Sequence, residues 1–249
     1  QIDATDNFLG SMDALARMGQ RAIDPSKSFG SLANSAPRTR LNQSIGKERT
    51  FAVGELPLQN IKAIGKSLDC KVNDVFMAIC SGGLRKYLQR TYELPNNPLI
   101  SGCPVSLRKP GDTRMDNQVT MMSVSLATDI ADPRLRLLTI RDSANTAKDV
   151  TADLASSLNN NFAAPGLPRV ATATASLMES LGSADFISMP INVVISNVPG
   201  PRETLYSNGA RMLTHYPVSI PAQGLGLNIT VQSYGETLYF GLTACKKAL

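Results

Sequence analysis

A chain of 249 residues with 43% hydrophobic side chains can bury a core as one large domain or two small ones, and a net charge of +5 carried by only 18% charged residues describes no basic tail. With no Trp and 5% aromatics there is little material for stacking bases, so nucleic acid is not an expected partner. No apolar run approaches the ~20 residues of a membrane span or forms a signal-peptide core, and four scattered cysteines with one His provide neither a zinc site nor a disulfide framework.

Reduced, buried thiols in a cytoplasmic protein are therefore expected of Cys70, Cys80, Cys103 and Cys245. The first residue is Gln1 rather than Met, as expected of a fragment. Residues 8–23 space Phe8, Met12, Leu15, Met18 and Ile23 along one face of an amphipathic helix, which Asp24-Pro25 ends. Residues 1–46 thus read as this helix followed by an exposed crossing segment rich in Ser, Asn, Pro and Arg, and residues 47–249 as the main domain.

A short strand is predicted over 49–53. Pro57 then opens a helix striped by Leu58, Ile61, Ile64 or Gly65, and Leu68. Residues 71–88 (KVNDVFMAICSGGLRKYL) predict a longer helix, with Asn73 as its cap and Asp74 complementing the dipole. Its small residues Ala78, Ser81, Gly82 and Gly83 would admit either a neighbouring backbone or a narrow ligand.

Strands follow at 99–107 and 118–128, the second alternating poorly and so expected to be covered on both faces. Asp132 and Pro133 suit the N-cap and first position of a helix running toward Leu154. Beyond it the chain predicts a loop at 159–168, a small-residue helix at 169–181, a buried strand at 191–196 and another at 212–219. A hairpin of 227–234 with 237–245 closes the chain, Gly235 suiting a type II′ turn. Helices alternating with strands, then a strand-rich last quarter, give a mixed α/β class.

Chemistry is sparse. His215 has no hydroxyl or carboxylate in a triad pattern, there is no GxSxG, and neither GxGxxG nor GxxxxGK[ST] is completed. Three constellations still ask for a role. Asn73-Asp74 reads locally as a helix cap. PVSLR (104–108) with DNQ (116–118) leaves Arg108 either solvated or paired to an acid elsewhere. SNVPGP (196–201), with GLGLN (224–228) later, reads as a rigid turn that can also wall a ligand site.

In order, VNDVFMAICSGGLRKYL, PLISGCPVSLR, DNQV, DPRLRLLTIR, ISNVPGPRETLY and LNITVQSYGETLYFGL resemble the C-terminal half of bacterial wax ester synthase/diacylglycerol acyltransferases, from about Thr39 to the end. The resemblance implies a half-molecule of the chloramphenicol acetyltransferase-like fold, shared with condensation domains: a mixed sheet flanked by helices. It implies transfer of a fatty acyl group from acyl-CoA to a long-chain alcohol or a diacylglycerol, without metal or cofactor. The catalytic HHxxxDG of that family is absent here, so the general-base His is expected in an N-terminal half that acts as partner.

By motif, Asn73 and Asp74 match the family's ND pair and are expected in supporting catalytic roles. Asn73 would position the reacting groups and Asp74 hold the backbone. Arg108 is similar to an Arg that pairs with the Asp of HHxxxDG, so it is expected to be structural, as is Asn117 of DNQ. Asn197, Pro199, Gly200 and Asn228 are expected near the substrate. The resemblance also implies peripheral association with the inner membrane or lipid droplets. An alternative is a non-catalytic module of the same fold that binds a lipid surface or a partner through the helix at 8–23.

Overall fold

The computed structural model describes residues 36–106, 108, 119–158 and 190–249, with side chains up to 151 in the helix that ends at 158. The helices expected at 8–23 and 169–181 and the loop at 159–168 lie outside the described residues.

Six strands form one mixed sheet in the order β1-β8-β7-β4-β2-β3, and β5 and β6 form a separate two-stranded ribbon. The strands are β1 (Arg49–Pro57), β2 (Ile100–Ser106), β3 (Val119–Ser125), β4 (Val193–Val198), β5 (Tyr206–Ser207), β6 (Ala210–Arg211), β7 (Leu227–Tyr234) and β8 (Thr237–Cys245). The helices are α1 (Leu58–Ser67), α2 (Val72–Arg90) and α3 (Pro133–Leu158). β4 runs parallel to both β7 and β2, while the outer pairs are antiparallel.

Pairing register decides which residues share a face. Ile195 aligns with Ile229, and Val231 with Phe240, so these residues turn together toward the helices. There they join Ile61 of α1, Val75, Phe76, Met77 and Leu84 of α2, and Leu137, Ile140 and Ala144 of α3 in one core. Phe76 meets Phe240 with ring centroids 5.5 Å apart. In α1 the apolar stripe runs through Gly65, which is buried, rather than Ile64, which is exposed. A Cβ on Gly65 would collide with the Cys70 carbonyl at 2.6 Å, so the turn into α2 depends on that glycine.

The small residues of α2 admit a neighbouring loop and an arginine. Ser81 Oγ donates to Leu126 O at 2.5 Å, and an added Cβ on Gly82 would lie 3.2 Å from Arg136 Nη2. Arg136 is itself buried, donating from Nη1 to Ile130 O and Ala131 O, and the Arg85 guanidinium caps Thr128 O. Four carbonyls of the loop between β3 and α3 are thereby satisfied by three side chains of the helical layer. Asp132 Oδ1 accepts the Leu135 N–H at 2.7 Å, the N-cap expected for α3.

Three sequence expectations change. The crossing segment is not exposed throughout: Leu41 is fully buried, and Asn42 and Asn192 form a buried clamp. Asn192 Nδ2 donates to Asn42 Oδ1 at 2.7 Å and to Pro37 O at 2.6 Å, and its Oδ1 accepts the Ile100 N–H at 2.9 Å. β3 is covered on one face only, since Val119 and Met121 are exposed on the face away from the helices. Residues 212–219 form no strand.

That segment instead crosses the face of β7 and β8 turned away from the helices. Its backbone packs so closely on Gly241 that a Cβ there would overlap the Pro217 carbonyl oxygen. Side chains replace a ladder: Tyr234 OH donates to Met212 O at 2.9 Å, Ser219 and Thr230 hydroxyls meet at 2.5 Å, and Tyr216 stacks edge-on against Tyr239. Pro217 and Pro221 lack the N–H a strand partner would need. Just before it, Asn208 and Gly209 both take positive φ, as a two-residue type I′ turn demands, and close the β5–β6 ribbon that the sequence reading missed. The β7–β8 hairpin turns at Gly235 with φ 55, as predicted.

Candidate functional site

The N-terminus of α2 points to the edge of the sheet where β2 and β4 end. Lys71, not Asn73, is the N-cap, with extended backbone (φ −80, ψ 160), so Asn73 is the second helical residue and Asp74 the third. Asp74 reaches back three residues, and its Oδ2 accepts the Lys71 N–H at 2.8 Å. This is the carboxylate half of a capping box, and it places a negative charge at the positive end of the helix. The cap expected of Asn73 is therefore supplied by Asp74, because the backbone enters the helix two residues earlier than the Asn-Asp pair suggests. Asp74 is only 1% exposed, and its Oδ1 has no hydrogen-bond partner among the described residues.

Freed from capping, the Asn73 side chain turns to the sheet. Its Oδ1 accepts a hydrogen bond from Asn197 Nδ2 at 3.3 Å. Asn197 is the penultimate residue of β4, aligned with Val231 of β7, so the strand runs two residues past its predicted end at Ser196 and takes in the first three residues of SNVPGP. The loop that follows is nailed to the end of β7. Gly200 N–H donates to Ser233 Oγ at 3.0 Å, and Pro201 O accepts the Gly235 N–H at 3.2 Å. A Cβ on Gly200 would overlap the Ser233 carbonyl oxygen, so no larger residue fits; Pro199, exposed before it, fixes its own φ. Asn73, Asn197, Pro199 and Gly200 thus come together at one edge. It is the carboxyl edge of the parallel strands, where open α/β sheets commonly bind ligands.

Other candidates fall elsewhere. Asn228 pairs in register with Val194, three residues (about 10 Å of strand) before Asn197 and on the opposite face. Its Nδ2 donates to Ile220 O at 3.3 Å and its Oδ1 accepts from Thr230 Oγ1 at 3.1 Å, so it ties down the crossing segment and does not join Asn73. Arg108 lies exposed just beyond β2, its N–H donating to Ser106 Oγ at 3.3 Å. Since β2 runs parallel to β4, that is the same edge of the sheet. Asn117 lies outside the described residues. His215 sits half-buried in the crossing segment, with Nδ1 unpartnered among the described residues.

No group of three or more His, Cys, Asp or Glu side chains converges among the described residues as a metal site would require. All four cysteines are free thiols. Burial pushes the Cys80 and Cys103 thiols above their ordinary range. What the edge does offer is donors: the α2 N-terminus leaves backbone N–H groups outside its ladder, and Asn73, in that first turn, carries a side-chain NH2 as well. It could hydrogen-bond an anion or a carbonyl oxygen acquiring charge. Sequence reading missed Ser233 and Asn192; the latter stands out as an amide inside the apolar run INVVIS.

The model of the wax ester synthase/diacylglycerol acyltransferase C-terminal domain matches residues 115–249, and that of the catalytic domain matches residues 2–76. This chain belongs to the wax ester synthase/diacylglycerol acyltransferase family. The second match ends just past Asn73 and Asp74, so the edge described above is built from both matched segments. An O-acyltransferase of Acinetobacter baylyi is 41% identical over 214 residues, covering 86% of this chain and 45% of that one. The solved wax ester synthase/diacylglycerol acyltransferase from Marinobacter aquaeolei VT8 superposes with TM-score 0.64 at 32% identity, over 89% of this chain and 49% of that one. The nonribosomal peptide synthetase FmoA3 shares the fold at 10% identity, with TM-score 0.54 over 88% of this chain and 21% of that one. The chain spans about half the length of the curated relatives it matches.

Proposed function

We propose that the chain is the C-terminal half of an O-acyltransferase that moves a fatty acyl group from acyl-CoA to a long-chain alcohol or to the free hydroxyl of a diacylglycerol. The observation that carries this reading is the Asn73–Asn197 contact: two family motifs 124 residues apart meet at one sheet edge. In the reaction, a His of HHxxxDG in the other half takes the proton of the acceptor hydroxyl as its oxygen attacks the thioester carbonyl carbon. The carbonyl electrons move onto oxygen; when they return, the C–S bond breaks, and the departing CoA sulfur collects the proton. The products are an ester and free CoA, and no metal or cofactor enters the balance.

Asn73 contributes a hydrogen-bond donor at the positive end of α2, where charge on the thioester oxygen is stabilised. Asp74 holds the helix start, and the Pro199–Gly200 loop walls the site. Arg108, on the same edge, pairs with the Asp of HHxxxDG across the joint between the halves. Closure of the joint excludes water that would hydrolyse the thioester. No described helix is long and apolar enough to cross a membrane, and access to such acceptors comes through peripheral contact with a lipid surface. In the full-length protein, Asn73→Ala should lower kcat by on the order of 10²-fold with an unchanged melting temperature. Unchanged turnover with either acceptor would remove Asn73 from the chemistry.

A further inference from the structure

We propose that Asn197 is the positioning residue that sets which end of the Asn73 amide faces the substrate, an assignment that rests on the acyl-transfer reading above. A carboxamide is planar, with an acceptor at one corner and two donors at the other, so engaging one corner decides what the other presents. Asn197 Nδ2 donates to Asn73 Oδ1 at 3.3 Å. The oxygen is thereby occupied from the strand side, and the Asn73 NH2 is left without a hydrogen-bond partner among the described residues.

Both partners are held independently of their contact. Asp74 fixes the first turn of α2 through the Lys71 N–H, and the loop after Asn197 is pinned by Gly200 to Ser233 and by Gly235 to Pro201. The orientation has a chemical consequence. Attack on the thioester puts negative charge on the carbonyl oxygen, which an N–H stabilises and an amide oxygen repels. Asn197 neither takes nor gives a proton; the ester C–O bond forms, the C–S bond breaks and the hydroxyl proton reaches the CoA sulfur without it.

Replacing Asn197 by Asp keeps the shape and removes the donor. A carboxylate only accepts, so Asn73 must turn over to donate to it and would present its oxygen to the reacting centre. The test measures kcat, KM for acyl-CoA and melting temperature of the full-length protein carrying HHxxxDG, for the wild type, Asn197→Asp, Asn73→Ala and the double variant. Asn197→Asp is expected to lose about 10²-fold in kcat, with KM within about threefold and melting unchanged. In the Asn73→Ala background it should cost nothing more. Wild-type kcat in Asn197→Asp overturns the proposal. So does a loss that multiplies with that of Asn73→Ala, appears in KM, or follows a fall in melting temperature. A wild type without acyl transfer would sink the acyl-transfer reading and this one with it, whereas an active wild type with independent variants overturns the orienting role alone.

Discussion

Asp74 and Asn73 are adjacent in sequence and do different work. The carboxylate is buried and spent on the Lys71 N–H, whereas the amide is half-buried and reaches across to β4. This division was not legible in the sequence, because an Asn-Asp pair before an apolar run reads as a cap, and Lys71 is not a residue that signals one. The thiols are a second residue-scale case. Cys80 and Cys103 are buried, and burial raises both above the ordinary value of 9.0. On unfolding, such a thiol loses its proton near pH 9, while the native one keeps it. The stability these thiols contribute is therefore fully present below pH 9 and is lost as pH rises above it. Urea unfolding between about pH 9 and pH 10 should show a shallower loss for Cys80→Val than for the wild type; equal slopes would count against the burial account.

At the scale of elements, the sheet was largely readable and the connections were not. Regular alternation and the Gly235-Glu236 turn announced β7 and β8, and Asp132-Pro133 announced α3. The Asn208-Gly209 dipeptide is a strong hairpin signal too, yet its two-residue strands are too short to alternate. Residues 212–219 read as strand from their composition, but their partners are hydroxyls and a glycine on another element, which no local pattern records. Asn197 escaped as a strand residue for a related reason: the prolines after it suggested an earlier break. The Gly200 contact is the element-scale hinge of the site. Gly200→Ala would drive the loop off Ser233, and it should cost at least about 2 kcal/mol in unfolding free energy and lower kcat by displacing Asn197. Pro199→Ala, exposed and without such a contact, should cost less stability than Gly200→Ala; a stable, fully active Gly200→Ala protein would contradict the packing described.

For the whole molecule, the described site is one wall. Donors gather at the carboxyl edge of β2 and β4, but the only histidine is in the crossing segment on the other face, and the family's HHxxxDG lies nowhere in the sequence. That absence was legible from the first residue to the last, whereas the meeting of Asn73 with Asn197 required the fold. Arg108 stands at the same edge, and in the joined halves Arg108→Ala should lower the melting temperature before it raises KM for acyl-CoA; a stable variant that only binds poorly would assign it to the substrate instead. The most direct measurement is the release of free CoA thiol from a fatty acyl-CoA in the presence of a long-chain alcohol or diacylglycerol, with this chain alone and with it joined to a half carrying HHxxxDG. Acceptor-dependent release is expected only from the joined halves. Equal release from the chain alone, or none from the joined halves, would contradict the account.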